Sequence, residues 1–463
     1  MRALLNVAPT PEQLALFSRI KPGVEVIRGA AGSGKTTTAL LKLRSLLTSF
    51  VNRKIRQKRE DPIRILLLTY NRTLTGYIQE LASSQFAQTG DIELQVSTFS
   101  YWAFHAIGNP TIVENDTRRR WLRELGAGLD LSMDFIEEEV DYLLGRFLPA
   151  DLDDYLTARR EGRGGTPRMS PAARAALMEA VVRPYLKRKA DNRVLDWNDV
   201  AVAMASEKYF AYDIVIVDET QDFSANQIRA IMNQLMDVHA AIFVLDTVQR
   251  IYARGFTWQE VGLTVRPENS FRLSNNYRNT KQIAQFAASV IDDLATDDDG
   301  TTPNFASAMR DGPMPVVLRG CYGDQLAHAI KKIKNEIDLD RESVAFLHTG
   351  WCDFLKDRLA AAGLEYIEIT RQSEWPQGPE NIAVSTLHSA KGLEFDHVFI
   401  LGLTAKAMPH GEGTEDEKLI ALRRLVAMGI GRARCSVTVG YKPGEESQVV
   451  SSFGAGTFEE IAV

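Results

Sequence analysis

Short apolar runs rich in valine, isoleucine and leucine alternate along the chain with longer amphipathic stretches. Runs of this kind predict parallel strands covered by helices on both faces. The pattern occurs twice. One set of predicted strands comprises 24–28, 63–69, 214–217 and 242–245. The second comprises 316–318, 344–347, 366–369, 382–386, 398–401 and 436–439. Between 106 and 196 the strand signal disappears, and charged helical stretches surround a glycine-rich patch at 161–167 that is expected to be flexible. The expected organisation is an α/β unit in two parts, 1–105 and 197–274, a helical insertion at 106–196, and a second α/β unit at 275–463.

At 463 residues the chain exceeds one ordinary core and suits two or three domains. Its net charge of −6 excludes a protein that coats nucleic acid over its whole surface, so any nucleic-acid site must be local. Basic clusters at 53–59, 118–123, 159–168 and 183–193 read as solvated helix faces. Cys321, Cys352 and Cys435 are widely spaced, which predicts neither a disulfide framework nor a zinc site. No apolar run approaches the roughly 18 residues of a membrane span. The opening MRALLNVAPTPEQLALF is broken by prolines and an acidic residue, so the expected location is the cytoplasm, away from any membrane.

The strongest chemical signal is GAAGSGKT, directly after the predicted strand VEVIR and before a helical run. That context fits a phosphate-binding loop. Backbone N–H groups of Gly29, Ala30, Ala31, Gly32, Ser33 and Gly34 would face phosphates, Lys35 would reach the terminal ones, and Thr36 would hold Mg2+. Thr37 follows in the first helical turn and belongs to the same ATP-binding set. DIVIVDETQD then delivers Asp218 and Glu219 at the C-terminal end of a strand, where open α/β sheets place their ligands. Asp218 would hold the Mg2+ shell and Glu219 would activate the attacking water. A third strand, AIFVLDTVQRIY, ends near Gln249, placed to touch a γ-phosphate or position water. Together the three motifs predict a nucleoside-triphosphate hydrolysis site.

In their order, these motifs resemble the UvrD, Rep and PcrA group of superfamily-one helicases, from about Thr10 to Arg434. The resemblance implies two RecA-like P-loop lobes with parallel sheets. TPEQ, ending at Gln13, looks like the family's adenine-reading glutamine motif. ILLLTYNRTL is similar to the segment in which an aromatic, here Tyr70, meets a DNA base. VSTFSYWAF is similar to the next DNA-contacting segment, with Thr98 and Phe99, although Ser100 stands where histidine is frequent. LDTVQRIY is similar to the third motif, which implies γ-phosphate sensing by Gln249. NNYRNTKQI implies that Tyr277 stacks on adenine and Arg278 contacts the γ-phosphate. VSTLHSAKGLEFDHVFI implies DNA contact near His388 and ribose contact by Glu394. RRLVAMGIGRAR places Arg432 as the arginine finger of the second lobe. Leu422 and Gly431 depart from the family there, and the glycine would leave the backbone freer just before the finger. Tyr252, Phe256 and Trp258 stand where the family stacks a tryptophan on a base, with core packing the alternative for each.

The resemblance thus implies an ATP- and Mg2+-dependent motor on single-stranded DNA, probing ss/ds junctions and moving 3′ to 5′. One departure matters. In the family a large helical subdomain interrupts the second lobe, whereas here only RQSEWPQGPE, 371–380, separates the two strands concerned, and that is a loop. A protein partner supplying duplex grip or a nuclease activity is then expected for long duplexes. Two other readings stay open: an ATP-dependent DNA-binding switch that regulates such a partner, and an RNA helicase.

Overall fold

The computed structural model describes residues 13, 14, 16, 21–29, 34–69, 75, 79, 91–159, 169–246, 256–273, 279–292, 294, 308, 310–350, 352–369, 380–411 and 416–463, with the side chains of Thr37, Asp246 and Glu417 outside that description. Two sheets organise these residues. The first contains β1 (Gly23–Gly29), β2 (Ile63–Thr69), β3 (Ile92–Thr98), β4 (Tyr212–Val217), β5 (Leu235–Asp246) and β6 (Ser270–Leu273), in the order β3-β2-β4-β5-β1-β6. The second contains β7 (Val316–Arg319), β8 (Val344–His348), β9 (Ile367–Ile369), β10 (Ile382–Thr386), β11 (Phe395–Ile400), β12 (Ala433–Tyr441) and β13 (Glu459–Ala462), in the order β13-β7-β12-β11-β8-β10-β9. All of these strand pairs run parallel.

Alternation of side chains explains why the central strands read as unbroken apolar runs. On β2, Ile63, Ile65 and Leu67 enter one core, with the helix Lys35–Gln57, while Leu66 and Leu68 enter the core on the opposite face. On β4, Ile214 and Ile216 face the first core, Val215 and Val217 the second. The second sheet repeats the arrangement: Ala345 and Leu347 of β8 enter one cluster, Val344 and Phe346 the other. The mixed α/β architecture with two parallel sheets agrees with the expected fold class.

Between β3 and β4 the described chain is helical, over Asn115–Gly126, Met133–Arg146, Pro171–Leu177, Arg183–Asn192 and Trp197–Ser206, with a π-helical turn at Met178–Val182. These helices enclose a core of their own around Phe135, Leu143, Tyr155, Val181 and Tyr185. Their basic residues are largely taken up internally. Arg118 meets Asp141 at 2.8 Å, Arg119 meets Asp134 and Glu137, Arg183 meets Asp153, and Arg188 meets Glu124. Lys189, buried, pairs with Asp196 at 2.9 Å, and Asp196 closes a capping box at the start of Trp197–Ser206. Lys418, from the second sheet's side, reaches Asp134 at 2.7 Å.

β9 and β10 lie side by side, hydrogen-bonded in parallel, although ten residues, 371–380, connect their flanks; 371–379 lie outside the described residues. The three cysteines are free, and no helix among the described residues is long and apolar enough to cross a membrane.

Candidate active site

The site forms where β1, β4 and the second sheet's turns converge. β1 ends at Gly29, in register with Asp246 of β5 and Leu273 of β6. Ala30, Ala31, Gly32 and Ser33 lie outside the described residues. At Gly34 the backbone is left-handed, φ +74°, a conformation that favours glycine, and the helix Lys35–Gln57 begins at the next residue. No side chain caps that helix, so its first N–H groups and dipole face the space where an anion would sit. Buried Gln13 donates its amide to the Gly34 carbonyl at 3.3 Å, and the Thr38 hydroxyl donates to the same oxygen at 2.7 Å. A Cβ at Gly34 would stand 2.6 Å from Gln13 Nε2, so the two residues are closely fitted.

β4 lies between β2 and β5, fully buried, and presents two carboxylates at its end. The Asp218 N–H donates to Leu68 O, which fixes the exit from the strand. Thr36 Oγ1 donates to Asp218 Oδ2 at 2.7 Å, across 182 residues of sequence. Burial pushes the Asp218 carboxyl up to about 6, helped by the charge of Glu219 and opposed by the Thr36 hydrogen bond and Lys35. A hydroxyl and a carboxylate side by side suit Mg2+, a hard cation that takes few protein oxygens and fills its shell with water and phosphate. Among the described residues no group of three or more His, Cys, Asp or Glu forms a dedicated metal cage.

Glu219 holds a left-handed backbone, φ +52°, a costly conformation for a non-glycine residue and a frequent one at functional sites. Burial would raise its pKa, but the charges of Lys391, Arg432 and Lys35 and the Gln221 amide prevail and hold it below the usual carboxylate range. Glu219 is thus kept ionised while Asp218, its neighbour, is pushed the other way.

Two of those cations come from the second sheet. Arg432 is buried, its Nε 3.2 Å from Met428 Sδ. Gly431 before it is an ordinary right-handed residue, φ −66°, and a Cβ there would meet only ordinary contacts at 3.4 Å, so the expected backbone freedom is not used. Lys391, 3% exposed, sits 3.4 Å from Glu219 Oε2 and is hydrogen-bonded to Asp222. Reading the sequence assigned Lys391 no role, although the motif containing it stood out. The buried Asn279 was also missed. Its amide donates to the carbonyls of Gly431 (3.0 Å) and Ala433 (2.6 Å), tying the end of NNYRN to the residues on either side of Arg432.

The remaining expectations divide. Tyr70, Gln249, Tyr252, Tyr277 and Arg278 lie outside the described residues, and for Thr37 the side chain does. Glu394 is half-buried at the end of the turn that carries Lys391, and His388 is exposed on that turn. Thr98 caps the helix Phe99–Ala106 by accepting from the Tyr101 N–H at 3.3 Å. Phe99 corrects a prediction: it is 4% exposed, edge-on to Trp102 and Phe223 in the core, which leaves little ring surface for a base. Phe256 and Trp258 are half-buried and pack on each other and against the core, Trp258 on Phe243, which is the core-packing alternative for this pair.

Comparison with known proteins agrees with this geometry. The family profile described as an AAA domain matches residues 12–254, and that of the UvrD-like helicase C-terminal domain matches residues 325–443. The chain is 22% identical over 449 residues to a probable DNA helicase of Mycoplasma pneumoniae, covering 89% of this chain and 79% of that one. It is 24% identical over 350 residues to a probable DNA helicase II homolog of the same organism, covering 68% of this chain and 47% of that one. With the ATP-dependent DNA helicase UvrD1 of Mycobacterium leprae it shares 33% identity over 179 residues, 34% of this chain and 22% of that one.

Proposed function

Because the chain belongs to the UvrD, Rep and PcrA group of superfamily-one helicases, ATP-hydrolysing enzymes of DNA, we propose that it is a single-stranded DNA translocase moving 3′ to 5′. The observation that carries this reading is the 3.4 Å approach of the second-lobe cation Lys391 to the first-lobe carboxylate Glu219, on which the charge of Arg432 also acts. A hydrolysis site completed by both lobes works only when they are closed, and closure controlled by phosphate contacts is a recognised switch.

In this reading the lobes are 1–105 with 197–274, and 275–463, with 106–196 inserted in the first. ATP lies between them. Lys35 and the loop Gly29–Gly34 hold the phosphates, Gln13 and Tyr277 hold adenine, and Glu394 holds the ribose. Thr36 and Asp218 hold Mg2+, which supplies neutralisation of phosphate charge when bound. Glu219, kept as a carboxylate, accepts the proton of the attacking water. Gln249, Arg278 and Arg432 stabilise charge on the γ-phosphoryl group. The strand runs past Tyr70, Thr98, Tyr252 and His388. The short 371–380 connection supports a motor that moves along single strands yet unwinds long duplexes poorly without a partner.

The test is ATPase activity with and without single-stranded DNA or RNA, joined to stopped-flow dye release from either end of labelled strands. Stimulation by DNA with release ordered 3′ to 5′ is expected. Stimulation by DNA with no length-dependent release would favour a DNA-binding switch, and stronger stimulation by RNA would replace DNA as substrate.

A further inference from the structure

The helix Met133–Arg146 of the inserted region is fixed at its C-terminal end to the first lobe. The last carbonyls of a helix have no partner inside it, and here they are met from the helix Ala225–Asn233, which follows Glu219 and Asp222 in the chain. Asn226, fully buried, donates its amide to Leu144 O and Phe147 O at 2.9 Å each, and Arg229 donates to Arg146 O at 2.6 Å. Arg146 itself pairs with Glu260. Gly145 lies so close to Ser224, the cap of Ala225–Asn233, that a Cβ on it would fall 2.9 Å from Ser224 Cβ. Met133–Arg146 is thus a strut about 21 Å long, joined to the segment that carries Glu219.

The other end of the strut reaches the second lobe. Asp134, in its first turn, accepts from Arg119 at Oδ1 (3.0 Å) and from Lys418 at Oδ2 (2.7 Å). Arg119 belongs to the neighbouring helix Asn115–Gly126 and also holds Glu137, so the carboxylate is oriented independently of Lys418. The Lys418 hydrogen bond, with the charges of Lys418 and Arg119, holds the Asp134 carboxyl below its ordinary range. Lys418 stands in the first turn of Glu417–Ile430, whose Leu425, Val426, Met428 and Ile430 are buried in the second core and whose end leads into Arg432. Both helices therefore start at the Asp134–Lys418 pair and end on the side of Glu219. The lobes meet at this pair and again where Lys391 approaches Glu219, about one helix length away. One contact leaves a hinge free to turn; two at that separation fix its angle.

We propose that Asp134 and Lys418 form a latch that holds the two lobes closed, so that the helical insertion sets the closed fraction and, through it, the affinity for nucleotide. Opening the cleft carries Lys418 away with the second lobe while the strut stays with the first, and the pair breaks. Neither side chain is among those assigned to phosphate, base or ribose, so the bias acts with or without ATP. The effect on affinity rests on the reading of the cleft as an ATP site; the effect on closure does not. An exposed pair of this kind contributes a factor of about 1.5 to 5 at low salt, and screening removes most of it near about 1 M. Apparent affinity falls by the factor by which the competent fraction falls.

The experiment measures, in the full chain at low salt, binding of a non-hydrolysable ATP analogue by calorimetry and the radius of gyration without nucleotide by small-angle X-ray scattering. Lys418→Met and Asp134→Asn should each weaken analogue binding by about 1.5- to 5-fold, and the double variant should lose no more than the larger single. Lys418→Glu sets a carboxylate against Asp134 and Glu138, so it should lose more and enlarge the radius of gyration, and adding Asp134→Lys should recover part of both. Near about 1 M salt the variants should match the wild type. Both side chains are largely exposed, so the variants keep their cores. If the wild type binds no analogue, the ATP reading fails and the scattering alone judges the latch. An unchanged radius in Lys418→Glu overturns the latch, and so do losses that add in the double variant. An enlarged radius with unchanged affinity, in a chain that binds the analogue, overturns its link to nucleotide.

Discussion

Lys42 offers a test of how the first lobe holds the segment that carries Gln13, the residue proposed to meet adenine. It lies in the helix Lys35–Gln57 with no exposed surface, its Nζ 2.7 Å from Glu25 Oε2 on β1 and 3.2 Å from the carbonyl of Leu16. It also sits 5.0 Å above the Phe271 ring. In Lys42→Met the volume is kept and the charge removed, which leaves the Glu25 carboxylate buried without that cation. Breaking a buried pair from one side costs about 3–5 kcal/mol. For a lobe of roughly 150–250 residues each kcal/mol lowers Tm by about 2–4 °C, so a shift on the order of 10 °C is expected. Differential scanning calorimetry of the variant, of Glu25→Gln and of the double variant measures it. The double variant should recover much of the loss, because neither charge is then stranded. Leu16 is three residues from Gln13, whose amide meets Gly34, so the single variant should also discriminate less between ATP and GTP. A Tm shift below about 3 °C, or a double variant as unstable as the sum of the singles, would refute the argument that this pair anchors the segment.

Glu219→Gln should bind an ATP analogue with near wild-type affinity yet hydrolyse ATP roughly 10²–10⁴-fold more slowly; lost nucleotide binding would make the residue structural. Arg432→Ala should lower kcat by about 10³-fold or more, and near wild-type turnover in rapid-quench measurements would move the finger's role elsewhere. His397 is buried and His348 half-buried, and burial holds their pKa values below the ordinary 6.5. Since their folded values lie below the unfolded one, the unfolded chain takes up protons first as pH falls. Their contribution to stability is therefore full above 6.5 and lost below it, toward the lowered folded values. His397→Asn, which removes one of these groups beside Ser436, should flatten the fall of Tm between about pH 7 and pH 5 relative to wild type; an identical slope would show that other groups carry it.

How far the sequence reveals this molecule depends on where each residue is buried. β2 and β10 were legible to the residue because both faces are covered along most of their length and apolar residues fill most of their positions. β3, β6 and β13 carried no such signal. Each lies at or beside a sheet edge with much of its surface exposed, as in Glu459–Ala462, and an edge strand tolerates polar residues that erase the periodicity. β5 was legible only in its second half, because Met236–His239 lies at the exposed start of the strand. Motif logic assigned Thr36 and Asp218 to one Mg2+ shell, and the structure sets their side chains 2.7 Å apart. Phe99 misled because an aromatic in a DNA-contacting motif and an aromatic in a core look alike until Trp102 and Phe223 are placed around it. Lys391 could not be paired from sequence at all. Its partner Asp222 is 169 residues away on the other lobe, and no local spacing encodes a contact across a cleft.

The distribution of charge bears on how such a motor would hold a strand. Arg118, Arg119, Arg183, Arg188 and Lys189 meet carboxylates of the same helical region, and Arg59 meets Asp61 and Asp213 of its own sheet. A phosphate would have to displace these partners, and exchanging one carboxylate for another anion gains little. A protein of net charge −6 with these cations so engaged would hold nucleic acid at few points rather than through a broad basic face. Few contacts mean a shallow energy surface along the strand, since each advance breaks and remakes only those contacts. Lys391 lies 3.4 Å from Glu219, and the charge of Arg432 acts on the same carboxylate, so in the proposed reading the groups that would grip the strand and those that would respond to nucleotide belong to one packed block. Movement of that block against the first sheet changes both sites together, which is the physical requirement for turning hydrolysis into a step.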